Sequence, residues 1–140
     1  MRIAATISRY LLGLVFLVFG LNGFFHFIPQ PPPTGFALQF FIAVSASHFI
    51  AAVFAIQTIS GALLLLNRYV PLAVTLLAGV LFNILDFHIT MAPAGLGLAL
   101  FVTGLWFVVA ASVRSAFAGI FQPQVEPELA STAARRPIEA

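Results

Sequence analysis

The sequence contains no cysteine and no lysine, and only 7% of its 140 residues are charged. Without cysteine, the chain by itself has no disulfide, no thiolate nucleophile and no sulfur ligand for zinc or an iron–sulfur cluster. Any redox chemistry would therefore need a borrowed cofactor. Six arginines stand against four acidic residues, and so few basic residues do not make a nucleic-acid surface. Nucleic acid is excluded as a partner.

The chain is rich instead in long hydrophobic runs. Hydrophobic residues make up 61% of it, and four apolar runs approach the roughly 20 residues that cross a hydrocarbon core of about 30 Å. An ordinary soluble domain has roughly 25% charged residues, so this composition predicts an integral membrane protein. Arg2 and Arg9 precede the first run, which is too long for the apolar part of a cleaved signal peptide, and we expect it to be retained.

The predicted fold is all-α, a four-helix bundle in the membrane over residues 1–118. The predicted spans cover residues 7–27, 48–66, 71–90 and 96–116, and a short helix over residues 34–47 is expected at the membrane interface between spans 1 and 2. The proline-rich segment "IPQPPP" ends span 1, because proline cannot donate to a helix ladder. Residues 119–140 form a polar segment that we expect to be a disordered cytoplasmic tail.

The arginines predict the orientation of the spans. They lie before span 1, between spans 2 and 3, and at or after the end of span 4, whereas the other two connections have none. Because arginine-rich connections stay in the cytoplasm, we expect both termini to be cytoplasmic. We then expect a multi-pass membrane protein with membrane lipid around it.

Seven polar side chains lie within or near the ends of the predicted spans, where polar groups are costly and are therefore candidates for function. They are Asn22, His26, His48, Gln57, Asn83, Asp86 and His88. With a rise of about 1.5 Å per residue counted from the nearest arginine, the histidines and the aspartate lie about 26 to 30 Å up, near the outer face. Both asparagines lie just beneath that layer, and the glutamine lies near mid-membrane.

Three interpretations of this polar layer stay open. In the first, the side chains have reached the outer interface or make hydrogen bonds between helices. In the second, they line a shallow outward-facing pocket for an amphipathic ligand such as a quinone headgroup, where His26 or Asp86 exchanges protons. In the third, Asp86 and the histidines bind a metal, although no ligand motif is present. Asp86 and His88 point about 200° apart on an ideal helix, so both face one centre only if the helix ends or distorts there.

Small residues recur at spacings that favour close helix packing, among them Gly13 and Gly20 a heptad apart. Such residues pack helices within one bundle or form the face of a homo-oligomer. Spans 1 and 3 are also weakly alike, because Arg-Tyr at Arg9 and at Arg68 is followed in each by an Asn and then a His. Some transporters are built from two such parallel repeats, so a small transporter is one of the functions that the sequence allows.

With these residues in view, the chain resembles the DoxX family of small four-helix membrane proteins over about residues 9–117. The resembling segments are "RYLLGLVFLVFGLNGFFHFIPQPPP", "SGALLLLNRYVPLA" and "FNILDFHI". The first is the most specific, since it has family residues in the family's order. The matching positions are Asn22, Gly23, His26 and Pro29 in the first segment and Asn83 and His88 in the third.

Two positions depart from the family's pattern. Gln57 stands where members often carry an acidic residue, four before the glycine that corresponds to Gly61, and Asp86 stands where members usually have an apolar residue. We therefore hypothesise that the carboxylate has moved from span 2 to span 3.

The resemblance implies a subunit or accessory protein of a quinone-linked redox system in a bacterial inner (plasma) membrane. Relatives are subunits of quinone-linked thiosulfate oxidoreductases, and others are tied to membrane-associated oxidative-stress complexes. It implies quinone as ligand and a redox subunit as partner, and it leaves open whether the chain is an enzyme. The alternatives are a non-catalytic module for membrane assembly and packing and, third, the small transporter. No catalytic residue and no metal site is assigned.

Overall fold

The structure, a computed structural model, describes residues 2–124, and the elements in that range are all helical. The α-helices are α1 (Arg2–Phe25), α2 (Gly35–Ala46), α3 (Phe49–Leu65), α4 (Val70–Thr90) and α5 (Leu96–Ser112). Short 3₁₀ helices cover Pro93–Gly95 and Arg114–Phe121. The predicted all-helical fold is confirmed for this range, and residues 125–140 of the predicted tail lie outside the described residues.

Three stretches are long and apolar enough to cross a membrane. They are Arg2–Phe25, Val70–Thr90 and Pro93–Ser112. A fourth arises if α2 and α3 count as one broken span, because the two helices are bent by 86° relative to each other. The described residues thus contain three to four candidate membrane helices.

The break between α2 and α3 falls where the sequence predicted the long apolar stretch to divide. His48 lies between the helices with a φ of 59°, in the left-handed region that ends helical geometry. The two ends of α1 and the end of α5 differ more. α1 begins at Arg2 rather than Ile7, because hydropathy marks the apolar part of a helix and not its polar first turn. α5 ends at Ser112 rather than Ala116, and the chain continues there as a 3₁₀ helix.

The four longer helices surround one core. α1 packs against α3 and α5, and α4 packs against the same two helices, so α1 and α4 lie on opposite sides of the bundle. The centre is filled by apolar side chains from all four. Its members include Leu12 and Phe16 of α1, Leu64 of α3, Val74 and Leu77 of α4, and Val102 and Val109 of α5.

The closest approach in the bundle is between α1 and α3, and glycine makes it possible. A Cβ added to Gly20 would lie 2.5 Å from the Thr58 hydroxyl oxygen, and one added to Gly13 would lie 3.1 Å from the Gly61 carbonyl oxygen. In lipid, no hydrophobic effect drives helices together, and small residues stabilise helix pairs because they let the backbones approach closely. Gly13 and Gly20 therefore pack helices inside this bundle and do not form an outer face.

Candidate functional site

One end of the bundle brings together the beginning of α1, the connection between α3 and α4, and the end of α5. These segments line a cavity of about 180 Å³. The lining residues are Ala5, Thr6, Arg9, Asn67, Val70, Ser112 and Val113. Because Arg2, Arg68 and Arg114 belong to the same three segments, the arginines in the described range gather at this end. We call it the arginine end.

Most polar groups of this cavity are already engaged with nearby backbone. The Arg9 guanidinium donates to the carbonyl oxygen of Leu64 in the last turn of α3 and lies 4.4 Å from the centre of the Tyr10 ring. The Thr6 hydroxyl donates to a carbonyl of its own helix at 3.0 Å, and the Ser112 hydroxyl does so at 2.6 Å. A cation at the C-terminal end of α3 is favourable, because unpaired carbonyls carry partial negative charge there. The Arg9 side chain in this cavity thus caps the C-terminal end of α3.

The opposite end holds most of the polar side chains that the sequence singled out, and Asn22 is the most buried of these at 7% exposure. Its side-chain oxygen accepts a hydrogen bond from the Ile28 amide at 2.5 Å, and its side-chain nitrogen lies 3.4 Å from the Ile28 carbonyl oxygen. Both ends of the amide therefore contact the same residue beyond α1. Asn22 fixes the path of the chain as it leaves the first helix.

His26 and His48 are turn residues at this end. Both side chains are exposed, and the backbone φ angles are 51° and 59°, in the left-handed region. The His26 amide donates to the Asn22 carbonyl at 2.8 Å and so closes the last turn of α1. Their positions are set by the end of α1 and the break before α3.

Asn83 and Asp86 point away from the core. Both are exposed and lie on the face of α4 opposite the buried Val74, Leu77 and Leu81. The Asn83 side-chain nitrogen donates to the Gly79 carbonyl of its own helix at 2.8 Å. Since α1 and α4 are on opposite sides of the bundle, these two side chains do not join Asn22 and His26 around an interior pocket.

Gln57 faces inward from the middle of α3. It is 8% exposed, and Ser60, one turn further along, is fully buried. The Ser60 hydroxyl has no hydrogen-bond partner among residues 2–124. Sequence reasoning missed Ser60, because a serine in an apolar helix is common and carries no signal of its burial. In the described range, the buried polar side chains are these two together with Ser8 and Asn22.

His88 has the most defined surroundings of the predicted site residues. Its ring nitrogen Nδ1 lies 2.9 Å from the Ala92 carbonyl oxygen. Because a carbonyl only accepts, this contact assigns the hydrogen to Nδ1, and Nε2 of the neutral ring is left as an acceptor. The ring also rests on Gly95, where an added Cβ would lie 2.1 Å from it. The turn between α4 and α5 therefore fixes both the orientation and the tautomer of His88.

Three phenylalanines extend this arrangement across the bundle end. The Phe87 ring centre lies 5.2 Å from that of His88, 5.7 Å from Phe40 and 5.5 Å from Phe41. Phe40 and Phe41 belong to α2, so α2 packs across the end of α4. We call Phe40, Phe41, Phe87 and His88 the aromatic cluster. Phe41 and His88 meet Phe87 edge-to-face, at interplanar angles of 89° and 75°, whereas Phe40 is tilted by 38°. Edge-to-face contacts are favourable beyond simple burial.

Sequence reasoning did not predict this cluster. The chain has sixteen phenylalanines, and most phenylalanines of apolar helices face lipid or pack in the core. No helical spacing connects residues 40 and 87, and only the bend before α3 brings α2 over α4. A contact between helices this far apart in sequence is a product of the tertiary fold.

The third interpretation of the polar layer was a metal site. Within residues 2–124, no three or more His, Cys, Asp or Glu side chains come close enough together to hold a metal ion. Asp86 is exposed on the outer face of α4, and His88 is turned toward Ala92 and Gly95.

The fold and these positions define a class: an all-helical bundle of membrane-type helices, with arginines at one end and an aromatic cluster beside a histidine at the other. In comparisons, no protein-family model, no curated protein and no solved structure matches the chain at a significant level.

Proposed function

We propose that this chain is a DoxX-like protein of a bacterial inner membrane that acts as a subunit or accessory of a quinone-linked redox system. In this proposal it holds a quinone headgroup at the end opposite the arginines. The observation that carries it is the aromatic cluster, in which three phenylalanine rings continue into the ring of His88. A flat, weakly polar ring ligand is suited to such surroundings.

The topology we propose puts the arginine end in the cytoplasm and the aromatic cluster near the outer face. Arginines in short connections are retained on the cytoplasmic side, and those in the described range gather at one end. α2, bent by 86° from α3, would then lie along the outer interface, with Phe40 and Phe41 turned toward α4. A ligand could enter this site from the bilayer.

His88 is the residue we expect to contact the ligand. Its Nδ1 hydrogen is held by the Ala92 carbonyl, so its Nε2 can accept a hydrogen bond or a proton from a hydroxyl of a reduced headgroup. The quinone/quinol couple, when bound, would supply the redox chemistry that this cysteine-free chain lacks, and its quinol form is the one whose hydroxyl can donate to Nε2. The protein's own part is to bind and orient the headgroup and to exclude water with the phenylalanine rings. A partner subunit would provide the other redox centre.

Binding of a short-chain ubiquinol analogue, whose headgroup hydroxyls can donate to Nε2 of His88, to the full chain in lipid nanodiscs tests the proposal. We expect His88→Gln to weaken binding about tenfold, the effect of losing roughly 1.4 kcal/mol, and Phe87→Leu to weaken it as well. Thr90→Val is the matched control, because Thr90 is exposed near the same helix end and its hydroxyl contacts only its own helix. Helix content by circular dichroism verifies folding. Equal affinity in wild type, His88→Gln and Phe87→Leu contradicts the proposal.

The non-catalytic assembly module is the second candidate, and one observation favours it. Asn22 makes its side-chain contacts with Ile28, and Asn83 with its own helix at Gly79. If the polar layer serves only stability, His88→Gln and Asn22→Ala lower the denaturation midpoint in detergent, and the ubiquinol analogue binds neither wild type nor variants.

A further inference from the structure

The outward face of α4 carries a row of polar and small residues. They are Thr75, Gly79, Asn83, Asp86 and Thr90, and each of them is exposed. Nothing lies within 4 Å of the position that a Cβ on Gly79 would take. We call this row the α4 polar strip. It lies opposite the buried face of the same helix, so the bundle itself does not cover it.

Asn83 and Asp86 are the members of the strip that have unused hydrogen-bonding groups, whereas the two threonines do not offer their hydroxyl hydrogens. The Thr75 and Thr90 hydroxyls donate to carbonyls of α4 at 2.9 and 2.7 Å. Asn83 uses one N–H on Gly79 and retains its other N–H and its side-chain oxygen. The Asp86 carboxylate makes no hydrogen bond or ion pair with another residue in the range 2–124. In α4, a helix long and apolar enough to span a membrane, such groups are costly when they face lipid.

We propose that the α4 polar strip is the interface with a second copy of this chain. Two copies inserted in the same orientation pair around a twofold axis along the membrane normal, and residue i of one copy then contacts residue j of the other while j contacts i. The strip is suited to such pairing because Asn83, which can donate, and Asp86, which accepts, lie on opposite sides of its centre line.

Helix geometry gives this complementarity. At about 100° per residue, Asn83 lies about 40° to one side of Gly79 and Asp86 about 20° to the other. The twofold axis exchanges the two sides, so Asn83 of one copy faces Asp86 of the other, twice. The asparagine N–H groups can then donate to the carboxylate, and the two carboxylates stay on opposite sides of the axis. Gly79, on the centre line of the strip and one turn before Asn83, allows the two backbones to approach next to these pairs.

The absence of cysteine provides a direct test. Gly79→Cys places a single thiol on the strip, and Gly104→Cys is the matched control, because Gly104 is also an exposed glycine with nothing within 4 Å of an added Cβ. The purified full chain, reconstituted in phospholipid vesicles at high lipid excess, is oxidised and run on a non-reducing gel. We expect several-fold more disulfide-linked dimer for Gly79→Cys than for Gly104→Cys. Equal cross-linking of the two overturns the proposal.

A second pair of variants tests whether the disulfide-linked dimer depends on the Asn83–Asp86 hydrogen bonds or forms by random collision of two copies. In the Gly79→Cys background, Asp86→Leu removes the acceptor and should lower the dimer yield at least threefold, whereas Asp86→Asn keeps a side-chain carbonyl oxygen and should retain most of it. Folding is not at risk, since Asp86 is exposed and leucine suits lipid. Thr75→Cys, also on the strip, reports independently should a cysteine at Gly79 block close approach. Dimer yield unaffected by Asp86→Leu, or cross-linking only to co-purified other chains, contradicts pairing of two copies through this strip.

Discussion

The backbone of Gly61 in α3 lies directly against the backbone of Leu17 in α1. A Cβ added to Gly61 would lie 2.5 Å from the Leu17 amide nitrogen and 2.8 Å from the Gly13 carbonyl oxygen. Real Cβ atoms do not approach backbone this closely, so α1 and α3 can adopt this spacing only if residue 61 is glycine. The contact between the two helices thus depends on the absence of one methyl group.

Gly61→Ala should therefore destabilise the bundle. The methyl group must push α1 and α3 apart, and overpacking of this kind costs about 1–3 kcal/mol. SDS titration of the protein in mixed micelles, followed by circular dichroism, measures the change. Gly104→Ala is the control, because an added Cβ there meets nothing within 4 Å. A Gly61→Ala variant as stable as Gly104→Ala shows that the helices are not packed this closely.

Replacing Asn22 should loosen the chain that follows α1. Asn22→Ala leaves the half-buried Ile28 without the 2.5 Å acceptor of its amide, and loss of such a hydrogen bond costs about 0.5–1.5 kcal/mol. Asn22→Asp keeps that acceptor and should recover part of the loss. Limited proteolysis after Phe27, together with the denaturation midpoint, reports the effect. If alanine and aspartate behave alike, the bond to the Ile28 amide is not what fixes this segment.

Ser60→Ala should not destabilise the protein and should raise its stability. The Ser60 side chain is 0% exposed and its hydroxyl has no partner among residues 2–124, so the substitution removes a buried unpaired polar group and gains about 1 kcal/mol. The comparison is Leu64→Ala, one turn away and equally buried, which should cost about 2–5 kcal/mol through the cavity it leaves. A large loss of stability in Ser60→Ala would indicate that the hydroxyl is paired.

Trp106 joins α5 to α4 through one hydrogen bond. Its indole nitrogen donates to the Val74 carbonyl oxygen at 2.9 Å, and Trp106→Phe should cost about 0.5–1.5 kcal/mol for that bond in addition to the smaller ring. Because the chain has one tryptophan, its emission in the wild type reports the same contact. We expect the emission change and the loss of helix to occur at the same denaturant concentration. Two separate transitions would show that α5 leaves the bundle on its own.

The sequence supported the overall class well. Hydropathy and proline positions predicted an all-helical chain with membrane-length helices, and the break near His48 and the end of α4 at Thr90 are confirmed. These features are local, because an apolar run of given length and the breakers at its ends act within a few residues. The resemblance to DoxX proteins, the quinone and the cytoplasmic termini stay predictions.

The candidate site was only half predictable for the same reason. Helical spacing correctly separated Asp86 from His88, and the structure places Asp86 outward and His88 beside the α4–α5 turn. Spacing within one helix could not say which face the bundle would cover, so it grouped Asn83 and Asp86 with Asn22. It also could not find Phe40 beside Phe87.

The sequence by itself determined that this is a helical, membrane-type chain with arginines reserved for particular connections, because composition and local breakers decide those properties. Only the tertiary structure decided which polar side chains are buried in the bundle and which are exposed on its surface. Glycines at Gly20 and Gly61 set how closely α1 and α3 approach, and packing of the helices then buries Asn22 and Gln57 while it leaves Asn83 and Asp86 outside. Which side chains are buried depends on contacts between helices, and the periodicity along one helix does not show which other helices pack against it.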